Sequence, residues 1–208
     1  MTNLTTTPLS AEVKVTTANA HDEAEHSPFM DDLLSGRSGR EEFVRLTGQL
    51  WFVYDALESA CRTHADDPRI SPLIDRRLER LPALEADLST LLGEDWRDRL
   101  APRPATSAYT HRLRTCAPHE LAAHHYTRYL GDLSGGQVIP TMLRRHYDLT
   151  EGMSFYSFDE IDKIKPYKDA YRARLDDLPL DEAERQQFLE EAVEAFVLNT
   201  AMFDDLAR

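Results

Sequence analysis

The sequence predicts an all-α, single-domain protein, and three observations carry that reading. Apolar residues recur at three-and-four spacing in one segment after another, no stretch alternates convincingly with period two, and cap signals bracket several of the periodic runs. The 208 residues suffice for one real core and are too few for two. Residues 1–9 read as a loose arm, and residues 10–208 as the domain. Ser10 to about His26 forms a first helix. Ser27-Pro28 is an N-cap followed by proline at the first helical position, opening a short helix that stops near Gly36. Arg40 to His64 carries Phe43, Leu46, Leu50, Val53 and Leu57 as an amphipathic stripe. Asp75 to Leu92 and Arg103 to Cys116 follow, separated by loops containing Gly93, Pro102 and Pro104. Pro118 or His119 starts a long helix running to His146. Asp159 to Asp176 is another, despite Pro166. Asp181 with Glu184 makes a capping box for a last helix bearing Phe188, Ala192, Val193, Phe196, Thr200 and Phe203.

Composition excludes several classes. A net charge of −13 disfavours nucleic acid and anionic membrane as partners, so an anionic ligand must meet a local basic cluster. Cys61 and Cys116 form neither CxxC nor CxxCH, which fits a reduced, cytoplasmic setting without covalent haem attachment. No apolar run approaches the ~20 residues of a membrane span, and the first ten residues lack the pattern of a signal peptide.

The most informative segment is Gly131-Asp132-Leu133-Ser134-Gly135-Gly136-Gln137, set within what reads as one continuous helix. Each interior glycine costs about 1 kcal/mol relative to alanine, so something that needs bare backbone is expected to offset it. Gly131 and Gly135 share a face, with Gly136 beside them. A glycine-capped helix end would also explain them, but helical composition on both sides argues against an end. Pro140 removes the bond to the Gly136 carbonyl and predicts a kink near the glycines.

Two polar constellations accompany this run. Lys14, Ala18, His21 and Glu25 fall within about 40° of one another on a helix, so Glu25 could hold the His21 ring, directly or through water, and leave its other nitrogen for a metal or substrate. A solvated surface pair is the competing reading. Lys168 and Arg172, four apart with Lys165 close by, suit a ligand carrying paired carboxylates, against plain surface solvation. The His124-His125 rings point about 100° apart, which fits satisfied histidines better than joint metal ligation.

Together the Lys14-to-Glu25 rail, the His124-to-Gln137 run, Tyr167-Lys168-Asp169-Ala170-Tyr171-Arg172 and Ala195-Phe196-Val197-Leu198-Asn199 resemble the haem oxygenases, particularly the soluble bacterial ones. The resemblance spans about Ser10 to Leu206 in order. Its specific part is Arg-Tyr-Leu-Gly-Asp-Leu-Ser-Gly-Gly-Gln, and Pro140 departs from the polar or small residue expected there. It implies a helical bundle with haem sandwiched between a proximal and a kinked, glycine-rich distal helix. His21 would be the proximal iron ligand and Glu25 would bond its second nitrogen. Gly131, Gly135 and Gly136 would let the distal helix cross close to the porphyrin, with Phe196 also against the haem. Asp132, through ordered water, with Arg128, Tyr54 and Asn199 would form a distal network that delivers protons. Lys14, Tyr126, Lys168 and Arg172 would hold the propionates. Haem would be both substrate and cofactor, used with O2 and an external electron donor: a ferredoxin, a flavodoxin or an NAD(P)H-dependent reductase. The chain ends at Arg208 without the membrane tail of some animal relatives.

Other readings compete. A haem carrier or sensor would keep His21 and the cations without needing Asp132. A ferritin-like di-iron site needs two Glu-x-x-His motifs, and only Glu23 with His26 supplies one. Relatives of the fold that process thiamin or quinone precursors would not carry both the His-Glu pair and the glycine run.

Overall fold

The computed structural model of the chain describes residues 7–136 and 138–208, so Met1–Thr6 of the expected arm and Gln137 of the glycine run lie outside the described residues. Within them every regular element is helical. The elements are α1 Leu9–Thr16, α2 Ala18–Glu25, α3 Pro28–Ser35, α4 Arg40–Thr63, α5 Leu81–Leu92, α6 Pro104–Thr115, α7 Pro118–Ser134, α8 Val138–Tyr147, α9 Ile164–Asp176 and α10 Glu182–Leu206.

Three long helices build the frame. α10 packs most extensively on α7 and also meets α6 and α2, while α4 lies on α5 and α6. The core between them holds Val53, Leu57, Tyr109, Leu121, Tyr171 and Phe188, all fully buried. The cap signals act as expected at two places. The Ser27 side chain accepts from Met30 N, with Gly36 left-handed (φ 79°) at the end of α3. Asp181 and Glu184 form a reciprocal capping box on α10.

Five boundaries differ from the sequence reading, and the differences are of four kinds. The expected Ser10–His26 helix is divided at Thr17, whose Oγ1 donates to Val13 O at 2.7 Å, a back-bond that bends helices. The backbone ladder still runs through it, from Thr17 N to Val13 O and from His21 N to Thr17 O. Leu9, assigned to the arm, opens α1 and is buried. Asp75–Leu92 is not one helix: a 3-10 turn at Arg76–Leu78 precedes α5, because Pro82 is compatible only with a helix's first turn. For the same reason α9 starts at Ile164, placing Pro166 in its first turn, rather than at Asp159.

The fourth kind concerns the glycines. The long helix does end there: α7 stops at Ser134, Gly135 is its C-cap, and α8 starts at Val138. Pro140 therefore lies in the first turn of a new helix, where its missing N–H costs little. Only Gly131 is an interior glycine, so most of the expected propensity penalty does not arise.

Candidate active site

On the α2 side, His21 presents a mostly exposed ring, 57% accessible, with Nδ1 3.6 Å from Glu25 Oε2. That separation exceeds a direct hydrogen bond, so of the two expected contacts, direct or through water, it is the water-bridged one that the spacing accommodates. The opposite nitrogen of His21 is the one left for a ligand. Phe196 of α10 meets the ring edge-on at 5.5 Å. Lys14 is exposed on α1, which packs on α9 and α10.

A second group is built by α4, α7 and α10, which bring four residues into one hydrogen-bonded chain. The Tyr54 hydroxyl donates to Asp132 Oδ2. Arg128 Nε donates to the Tyr54 oxygen at 3.2 Å and its Nη1 to Asn199 Oδ1 at 2.6 Å. Burial pushes the Asp132 carboxyl above the usual carboxylate range, while Arg128, the Tyr54 bond and Arg80 pull it back. Burial likewise raises Tyr54 well above the usual phenol value. For Arg128 burial opposes the charge, but neighbouring Tyr54 and Asp132 outweigh it and the guanidinium stays cationic. The result is a preset dipole chain with an acid that keeps its proton to higher pH than an exposed aspartate.

The glycines divide by what surrounds them. A Cβ on Gly131 would meet nothing within 4 Å, and one on Gly135 only the Gly131 carbonyl oxygen at 3.7 Å. Protein packing therefore does not require glycine at either place, and the bare surface is available to a flat ligand. Gly136 is different, because its Cβ would lie 2.4 Å from Asp132 O; only glycine makes this turn.

Each of the basic residues on α9 has a protein partner. Arg172 pairs with Asp169 at 3.2 Å, as does Lys165 at 3.0 Å. Lys168 instead reaches the end of α7, donating to Ser134 Oγ at 3.0 Å. Tyr126 is half-buried and feels the Arg172 charge. His124 and His125 are both fully buried and bonded, His124 Nε2 to Glu191 Oε1 and His125 Nδ1 to the Tyr171 hydroxyl, each at 2.7 Å. Sequence reasoning did not single out Phe155, whose ring packs on Tyr54 at 5.3 Å, or Arg80, which is buried before α5. No spacing signal could have found either, since both act through tertiary contacts.

These residues fit a flat dicarboxylic macrocycle: an exposed histidine without a hydrogen-bonded partner, glycine backbone with open space beside it, a buried carboxyl in a hydrogen-bonded chain, and cations on α1 and α9. Comparison with known proteins agrees. The profile of the Heme oxygenase family matches residues 7–205. The heme oxygenase of Pyropia yezoensis is 38% identical over 203 residues, 95% of this chain and 85% of that one. The crystal structure of heme oxygenase-1 from the cyanobacterium Synechocystis in complex with heme has a TM-score of 0.92 at 36% identity, covering 96% of this chain and 92% of that chain. That of heme oxygenase-2 from the same organism, with heme and NO, also gives 0.92, at 38% identity, covering 96% and 85%. The chain belongs to the haem oxygenase family. No described helix is long and apolar enough to cross a membrane.

Proposed function

We propose that this chain cleaves haem oxidatively to biliverdin, carbon monoxide and ferrous iron, using O2 and electrons from a ferredoxin, flavodoxin or NAD(P)H-dependent reductase. Release of iron from acquired haem in the cytoplasm is the role this reading assigns. The observation that carries it is the chain Asn199–Arg128–Tyr54–Asp132, which simple haem binding does not need. Haem itself supplies the redox chemistry and the atoms that are oxidised. His21 would hold the iron, with Glu25 steadying its Nδ1 side. Gly131 and Gly135 would admit the porphyrin face, crowding oxygen towards one edge. Asp132 would order water and hand it a proton, and Tyr54 and Arg128 would fix the direction of its carboxyl. Lys14, Tyr126, Lys168 and Arg172 would meet the propionates; for Lys168 this means giving up Ser134.

Single-turnover product analysis with wild type and Asp132→Ala side by side tests the reading. The variant should bind haem stoichiometrically and form no biliverdin, and Asp132→Asn should be intermediate, because an amide still holds water but carries no charge. Equal yields would remove Asp132 from the mechanism. No product from wild type with a competent reductant would favour a haem carrier or sensor.

A further inference from the structure

Arg80 precedes α5 and is buried, yet among the described residues no carboxylate pairs with its guanidinium. It binds backbone carbonyls instead. Nε donates to Leu78 O and Glu79 O at 2.9 Å, Nη2 to Arg77 O at 3.4 Å, and Nη1 to Phe155 O at 3.2 Å and Ser157 O at 2.5 Å. Its plane lies over Phe158, 4.0 Å from the ring centroid. Two turns along α5, buried Asp87 takes the N–H groups of the same segment: Ser154 N at 2.7 Å and Phe155 N at 2.8 Å. An anion for the N–H groups and a cation for the carbonyls thus clamp one short turn, Ser154–Tyr156 and its flank, from a single helix. Backbone carbonyls alone do not compensate a buried guanidinium as a carboxylate would. A lone apolar side chain would fill the space more cheaply, so the cation needs a reason.

What the turn touches supplies one. Phe155 packs on Tyr54 at 5.3 Å and on Tyr156 at 4.8 Å. A Cβ at Gly136 would lie 3.3 Å from Tyr156 Cδ1, so Tyr156 stands against the break between α7 and α8. We propose that Arg80 is a positioning residue for haem cleavage: by clamping the 154–158 turn it fixes the place of the break at Gly135–Gly136 and the direction of Tyr54, and through both the Asp132 carboxyl. The inference rests on the function proposed above. It makes Arg80 a determinant of which porphyrin edge is attacked, although it touches no ligand. Arg80 also adds to the positive field that Asp132 feels.

The test compares Arg80→Met and Phe155→Leu with wild type in the full chain, by amide hydrogen exchange and by biliverdin isomer analysis after haem loading. Phe155→Leu leaves the clamp intact and removes its contact with Tyr54, so it answers the question if Arg80→Met does not fold. Arg80→Met should speed exchange at the Gly135 and Gly136 amides by about tenfold or more while α10 amides keep their wild-type rates, and Phe155→Leu, which acts through Tyr54 alone, should leave the Gly135 and Gly136 rates near wild type. Both should also turn a single isomer into a mixture. Exchange that rises equally in α10, or a local rise with an unchanged isomer, overturns the proposal and leaves Arg80 a plain stability residue. Failure of the functional reading would look different: wild type itself would give no biliverdin, and the exchange comparison would still decide whether Arg80 holds the break.

Discussion

The two groups of candidate site residues, His21 with its neighbours and the Asp132 network, are built on opposite plans. In the first, His21, Glu25 and Lys14 stand exposed on short helices divided at Thr17, with no hydrogen bond from His21 to Glu25. In the second, Tyr54, Asp132, Arg128 and Asn199 already hold one another across three long helices. The exposed set therefore contributes almost nothing to the fold. The bonded set is part of it, so those residues cannot be altered without touching the core.

The sharpest break of this comparison is His21→Ala. An exposed side chain away from the core costs within about 0.5 kcal/mol when truncated, so the melting temperature of the ligand-free chain should not move. Haem ligation should be lost, and added imidazole should partly restore the spectrum by filling the vacated place. Retained ligation in His21→Ala, with loss in His124→Ala or His125→Ala, would move the iron to α7.

The glycines break the comparison within a single helix end. Gly131→Ala should stabilise the ligand-free chain by up to about 1 kcal/mol, since it replaces an interior helical glycine and its Cβ enters open space. Haem affinity should fall at the same time. Gly136→Ala should destabilise by about 1–3 kcal/mol, because its Cβ would collide with the Asp132 carbonyl. Paired melting curves and haem titrations decide; a shift of the same sign for both would show that the open face of Gly131 is not a ligand surface.

The sequence made the elements legible wherever local chemistry decides. The Ser27-Pro28 entry, the Gly36 exit and the Asp181–Glu184 box announce themselves within four residues. The glycine run identified the distal segment, but not that α7 ends there, because helical composition continues on both sides and the break is set by the backbone at Gly136 and its contact with Tyr156. Pro82 could have corrected the start of α5, being tolerable only in a first turn. The bond from Lys168 to Ser134 lay beyond reach, since i,i+4 spacing gives Lys168 and Arg172 a shared face but not which protein partner lies opposite. Arg80 was hidden for the same reason: burial, not identity, makes it informative.

Helix α7 also carries a buried histidine whose titration bears on stability. Burial holds His125 neutral, its pKa pushed down to about 3, against about 6.5 in an unfolded chain. Between those values the unfolded state binds the extra proton, so stability is complete above about 6.5 and falls as pH drops, by about 1.4 kcal/mol per pH unit. Glu191, held down to about 2 where the His124 and Arg112 bonds outweigh its burial, adds a loss only below the ordinary carboxylate range. Denaturant midpoints from pH 7 to 5 should therefore fall in wild type and flatten in His125→Gln; an unchanged slope would assign the acid sensitivity elsewhere.

The smallest effect is expected at the cations of α9. Lys168 and Arg172 are partly solvated, and each already has a protein partner, Ser134 or Asp169. A propionate must compete with those bonds, and exposed pairs are worth about 0–1 kcal/mol each. Replacing both by alanine should therefore weaken haem binding by no more than about tenfold, a loss of up to about 1.4 kcal/mol, far less than loss of the axial ligand. The melting temperature of the ligand-free chain should stay put, as in His21→Ala. What should change is in-plane rotation of the haem, read as a second biliverdin isomer and as a salt dependence weaker than in wild type. Lys168→Ala alone should have the larger share, because of these two cations it is Lys168 that hydrogen-bonds to α7. An unchanged isomer with unchanged salt dependence would return both cations to ordinary surface duty and leave orientation to Lys14, Tyr126 and the rest of the site.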